Sequence, residues 1–275
     1  MRGIALGVVV MLIALSPAHA FDVTACGQTV PDRETGILVA DLDCSADAAE
    51  SAVTLGNHSV LDMNGHSIVA RFVGVSCGSF DSRGCVVRGH GVLPSGVGEV
   101  SGGSYGIGGA ANRMVVSDVY VHDVATTGIV ANNRLLLTNV TVLRSEANGI
   151  ISNKGIKATN VVASENEYTG MDAPSVKATN VTASGNGYSG VSCQRCNLTG
   201  LVANANGVTD IPVGAGGGLQ GVGARLVDST LTGNVVDGVP VDIDTFVRPR
   251  LVNTSCEHSR QREAPSSSWG VCTAD

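Results

Sequence analysis

Four consecutive stretches of this chain superpose without a gap, and that repeat restricts the fold more than any other feature. They read Arg-Leu-Leu-Leu-Thr-Asn-Val-Thr-Val from Arg134, Gly-Ile-Lys-Ala-Thr-Asn-Val-Val-Ala from Gly155, Ser-Val-Lys-Ala-Thr-Asn-Val-Thr-Ala from Ser175 and Arg-Cys-Asn-Leu-Thr-Gly-Leu-Val-Ala from Arg195. Asn139, Asn160, Asn180 and Gly200 are therefore 21, 20 and 20 residues apart, with Asp118 one step earlier. Gly128, Gly149, Gly170 and Gly190 follow at the closely similar spacing of 21, 21 and 20. Downstream, Asp228 to Asn234 matches Asn180 to Asn186 but lies 28 residues after Gly200, which implies an eight-residue insertion in the coil holding Gly207 to Gly218.

Within each repeat the apolar residues alternate, as in Leu135, Leu137, Val140 and Val142, and glycine, asparagine and serine break the alternation. That is the pattern of short strands joined by turns; no segment holds a helical stripe for three turns. One such unit cannot bury its apolar face alone, so the units must stack on one another. The expected fold is all-β, a single-stranded, right-handed parallel β-helix solenoid with coils of about 20–21 residues. Stacking at about 4.8 Å sets each residue over its repeat equivalent. Met114, Leu135, Ile156, Val176 and Cys196 then form one inward column, and Val119, Val140, Val161, Val181 and Leu201 another. Asn139, Asn160 and Asn180 should form a hydrogen-bonded ladder at a bend, because stacked amides pair where stacked charges repel.

The amino end has a different layout. Arg2, an apolar stretch from Ile4 to Leu15 and the small-residue run Ser16 to Ala20 form the pattern of a cleaved signal peptide, so the mature chain is expected to begin at Phe21. The apolar stretch is shorter than the roughly 20 residues a spanning helix needs, and no membrane span is expected. Loss of Arg2 from the 17 Lys and Arg leaves 16 against 24 Asp and Glu, a net charge of −8, which disfavours nucleic acid and acidic membranes as partners. All eight cysteines follow the cleavage site and read as disulfides of a secreted, periplasmic or cell-surface protein. Proximity favours Cys26 with Cys44, Cys77 with Cys85, Cys193 with Cys196 and Cys256 with Cys272, although eight cysteines allow many other pairings. The expected domains are a signal peptide over 1–20, an amino-terminal cap over 21–50, a β-helix over 51–244 and a carboxy-terminal cap over 245–275. A short helix is expected from Asp47 to Ala52, and disulfides staple both caps against edge-to-edge pairing.

The segment Val60-Leu61-Asp62-Met63-Asn64-Gly65-His66-Ser67-Ile68 is an alternating strand, a tight Asn-Gly turn and a second strand. With this segment the chain resembles the right-handed parallel β-helix superfamily of pectate-lyase-like fold, in particular small secreted bacterial members, over roughly residues 36 to 245. The resemblance implies action on or binding of polysaccharide. Pectate lyases of this fold carry clustered calcium-binding aspartates and a catalytic arginine; here Asp41 with Asp43, and Asp242 with Asp244, read instead as solvated carboxylates. Polygalacturonases of this fold place a Gly-His-Gly beside several aspartates; Gly89-His90-Gly91 is present, but the accompanying motifs are not.

His90 is thus the catalytic candidate, against a reading in which Leu61 and Met63 stack on Cys85 and Val87 and His66 merely lies beside His90 in successive turns. Two histidines do not close a metal site, and His58 and His122 have no repeat-based reason to join them, so no metal and no cofactor are expected. Cys193-Gln194-Arg195-Cys196 has redox-motif spacing in the wrong context and reads as a structural bridge. Tyr168 and Tyr188, equivalent in adjacent coils, are the ligand-binding candidates for a sugar ring, with turn packing as the simpler account; Tyr105, Tyr120 and Trp269 do not align with them. The glycine-rich insertion around Ile211 to Gly218 lacks groups for chemistry. Arg248, Arg250, Arg260 and Arg262 read as a solvated basic face. Three functions follow: polysaccharide binding or processing without a demonstrated catalytic residue, a non-catalytic structural or adhesive surface role, and, from resemblance alone, a periplasmic maturation factor like those tied to copper enzymes.

Overall fold

The computed structural model describes residues 20–78, 84–90, 97–207 and 216–275. They wind into a parallel β-solenoid of about 10 turns with no helix. The regular middle begins with the strand Arg113–His122, which pairs in parallel with Arg134–Leu143, which pairs with Gly155–Ser164, and so on through Met171–Thr182 and Ser189–Asn204. Both expected apolar columns are present rung by rung, and every member is buried. Outside the middle the coils lengthen: Gly36, Leu61, Val87 and Val116 share one column at steps of 25, 26 and 29 residues. The step from Asn197 to Arg225 is 28.

Two bends per coil explain the polar spacing. At the first bend Asp118, Asn139, Asn160 and Asn180 have φ of 53° to 55° and Gly200 has 65°, a left-handed conformation that asparagine and glycine tolerate best. The expected ladder is there, with Asn139 Nδ2 donating to Asp118 Oδ1 at 2.8 Å, Asn160 to Asn139 at 3.0 Å and Asn180 to Asn160 at 3.1 Å. Five residues later a second left-handed column runs through Asp123, Arg144, Glu165 and Gly185.

Beside this second bend lies an internal ladder that the sequence reading did not contain. Asn166 Nδ2 donates to Asn186 Oδ1 at 2.9 Å, Asn186 to Asn206 at 3.0 Å, Asn206 to Asn234 at 2.8 Å and Asn234 to Asp242 at 2.7 Å. All five residues are at most 1% exposed. Each Oδ1 also accepts a backbone N–H, so no amide in the row is left short of a partner. The glycine column owes its composition to this row: a Cβ at Gly149, Gly170 or Gly218 would meet the Nδ2 of Asn166, Asn186 or Asn234 within 2.8 Å.

Two expectations are corrected. Residues 47 to 52 form no helix; the chain passes directly into the strand Ser51–Leu55. The Asn64-Gly65 turn has positive φ at both residues, as its type requires, but Leu61 stacks on Val87 and not on Cys85. The reason is that the Cys77–Cys85 disulfide returns the chain opposite Ser59, two residues earlier than a simple repeat would place it. The four disulfides are Cys26–Cys44, Cys77–Cys85, Cys193–Cys196 and Cys256–Cys272. The expected signal peptide, up to residue 19, and most of the insertion after Gly207 lie outside the described residues.

Candidate functional site

The third strand of each coil supplies a column that changes from apolar to polar along the solenoid. Val130 stacks on Ile151, and then Asp172, Ser192, Gln220, Asp244 and Arg260 follow on successive rungs. Inward neighbours Met171, Val191, Leu219 and Ile243 are fully buried, so alternation points this polar column away from the core; Asp172 and Ser192 are half-buried, whereas Gln220 and Asp244 are themselves covered. Around it lies a groove of about 370 Å³ whose lining includes Asp172, Ser192, Gln194, Gln220, Phe246 and Arg262.

The groove has a graded electrostatic character. Burial pushes the Asp172 carboxyl above the ordinary carboxylate range, and a hydrogen bond from Ser192 only partly opposes this. Arg262 faces the Gln220 amide oxygen with both Nη atoms at 2.9 Å, in the amide orientation that satisfies both groups, and its guanidinium lies 5.3 Å from the centre of the Phe246 ring. Phe246 is 41% exposed, a ring presented to solvent at the rim. Tyr188 is raised above the usual phenol range by burial and hydrogen-bonds Gln220, which ties one of the two candidate tyrosines to the groove. Tyr168 stands one rung away, its carbonyl accepting from the Tyr188 N–H at 3.0 Å, and is exposed.

The carboxylates expected on the surface at the far end are internal. Asp242 is 1% exposed and ends the buried amide row, its other oxygen accepting from the N–H groups of Glu257 at 2.7 Å and His258 at 3.2 Å. Asp244 is fully buried under Arg260, which meets it with two hydrogen bonds of 3.2 and 2.7 Å. Arg260 therefore leaves the solvated face expected of it, and Arg262 is engaged with Gln220 and Phe246; Arg248 and Arg250 are exposed. The alternation pattern alone could not show this, because the cover comes from the following rung, where Ser259–Gln261 pairs in parallel with Ile243–Thr245 and sets Arg260 on Asp244. Asp41 and Asp43 are exposed as expected.

The histidines are dispersed. The strand register, Asp62 opposite Arg88, is offset by two residues from the one that would set His66 level with His90, and the two rings meet different carboxylates: His90 Nδ1 contacts Asp62 at 2.8 Å, whereas His66 contacts Asp41 at 3.2 Å. Asp62 is shared, accepting also from Arg88 at 3.1 and 2.9 Å. His90 thus has an orienting carboxylate, but one engaged by a guanidinium. His122 forms a network absent from the sequence reading, with Nε2 2.8 Å from Glu99, Nδ1 2.6 Å from Asp123 and its ring stacked on Tyr120 at 4.4 Å. Hydrogen bonds from Arg144 and then His122 hold the Asp123 carboxyl far below the usual range. Among the described residues no group of three or more His, Cys, Asp or Glu could hold a metal ion, and no helix is long and apolar enough to cross a membrane. Cys193 and Cys196 are buried and joined. No family model, no curated protein and no solved structure matches the chain.

Proposed function

We propose that this protein is a secreted polysaccharide-binding β-solenoid whose saccharide site is the groove around Asp172 and Phe246. The observation that carries the reading is the convergence of a carboxyl, a hydroxyl, two amides and a guanidinium beside one exposed ring. Sugars present hydroxyls around an apolar face, and such a site offers partners for both. The disulfides accord with an oxidising compartment, in keeping with the signal-peptide pattern.

The same arrangement argues for binding without hydrolysis. Glycoside hydrolysis by paired carboxylates needs them within about 10 Å of each other. Asp172 and Asp244 are three rungs apart, about 14 Å at strand spacing, and Asp244 is already paired with Arg260.

The test is retention of the purified mature protein on a panel of neutral and acidic polysaccharides, with and without calcium, with new reducing and unsaturated ends measured in parallel. Retention on at least one neutral polysaccharide that falls about tenfold in Phe246→Ala, with no new ends, is the expected result. New chain ends would overturn the non-hydrolytic reading, and absence of retention on every polymer would overturn the saccharide site in favour of a structural role.

A further inference from the structure

The outward face formed by the first strand of each coil carries charge of one sign. One column on it holds Lys157 stacked on Lys177 and, past Asn197, Arg225 stacked on Arg250. The parallel column two residues earlier holds Arg113 stacked on Arg134 and, three coils further, Arg195. All seven side chains are exposed, and none takes part in an ion pair among the described residues. The strand segments 113–117, 134–138, 155–159, 175–179, 195–199 and 223–227 contain no Asp or Glu. The nearest acids, Asp118 and Asp228, sit at the bend and accept from Asn139 and Asn253. Between the rungs lies a broad groove of about 910 Å³ lined by Arg113, Arg134, Lys154 and Lys157.

Two features make this more than a solvated face. The chain as a whole has a net charge of −7, so a stripe of uncompensated cations is segregation against the overall sign. Like charges directly opposite on neighbouring strands about 4.8 Å apart also destabilise a sheet, so the pairs Lys157 with Lys177 and Arg113 with Arg134 work against the fold that carries them. A bound anion would offset that cost, which a solvated face would leave unrelieved.

We propose that this face binds a linear polyanion, an acidic polysaccharide whose carboxylates or sulfates lie along the solenoid axis. Its charges would meet a cation on most rungs, and the exposed column Thr138, Thr159 and Thr179 beside the lysines supplies hydroxyls for the sugar oxygens. The outward positions of these strands hold no aromatic ring on which bases could stack, which favours a glycan over single-stranded nucleic acid. This face is separate from the groove around Asp172, and the proposal does not rest on that site.

The experiment measures binding of the full mature protein to alginate, dextran sulfate, neutral dextran and single-stranded DNA at about 50 and about 200 mM salt. Three proteins are compared: wild type, the charge-conserving Lys157→Arg and the reversal Lys157→Glu. Binding to alginate or dextran sulfate that weakens steeply with salt, survives in Lys157→Arg and falls roughly tenfold in Lys157→Glu supports the proposal. Lys157→Glu should melt no lower than wild type, because it places an acid against Lys177, so lost binding would not reflect lost fold. No binding of either acidic polymer at low salt, equal binding of neutral dextran by a Phe246→Ala protein, or an unaffected Lys157→Glu would overturn it. Tighter binding of DNA than of either acidic glycan would overturn the glycan assignment in favour of nucleic acid. Variants at Phe246 should leave this binding unchanged, which separates its failure from failure of the saccharide groove.

Discussion

Two rows of asparagine differ in how much each residue matters. Asn206 is buried and makes two side-chain donations and accepts two hydrogen bonds within its row. Asn206→Ala would leave several buried groups unpaired and is expected to lower stability by about 3 kcal/mol in thermal or denaturant unfolding. Asn160 is exposed, and Asn160→Ala should lower stability by about 1 kcal/mol, partly through strain at its φ of 54°, whereas Asn160→Gly should do less harm. The outer row was legible because its asparagines fall in the aligned repeat. The inner row carried the same spacing at Asn166, Asn186 and Asn206, but asparagine beside glycine and glutamate in a turn reads as a turn former, and only depth distinguishes the two. At the groove, Asp172 gives a pH signature. Its folded-state pKa lies above the ordinary 3.8, so the native state holds its proton more tightly and stability falls as pH rises from that value through the folded one. Asp172→Asn should remove that fall, seen as a flatter melting temperature against pH. Asp275 behaves oppositely: burial raises it, but the Ser259 hydroxyl and the N–H groups of Cys272, Ser259 and Val271 outweigh burial, so its contribution is present above 3.8 and is lost on acidification below it.

At the scale of the strand, register follows from alternation wherever the coil length is constant. Val161 is 1% exposed in the column Val140, Val161, Val181, and Val161→Asp should prevent folding by burying an unpaired charge. An unchanged melting temperature for that variant would refute the register. Where coil length changes, the sequence has nothing to count against. The coil closed by the Cys77–Cys85 disulfide is of that kind, and the two-residue slip there takes His90 out of register with His66, with its ring on Asp62. The same limit hid the groove, since Gln220, Phe246 and Arg262 come from three coils of unequal length.

For the molecule as a whole, the ends and the surface matter most. The Cys256–Cys272 bridge spans 16 residues and fastens the last turns, so Cys256→Ser is expected to lower stability by about 3 kcal/mol, seen first as earlier melting of the carboxy-terminal coils. Net charge, read from composition, gave the correct sign for the average surface and none of its distribution, because faces are assigned only once the strands are stacked.

The two asparagine rows also have direction. In the outer row each amide donates toward the amino end and the last acceptor is Asp118; in the inner row each donates toward the carboxy end and the last acceptor is Asp242. An amide can both give and receive, while a carboxylate can only receive, so each row grows by amides and stops at an acid. A coil copied from the interior, such as the stretch from Asn160 to Thr179, would slot into both rows with every donor still met. A copied coil bearing Asp118 would set a carboxylate where a donor is needed and break the outer row in two. Lengthening of this protein by duplication is therefore permitted from its middle and blocked at its ends.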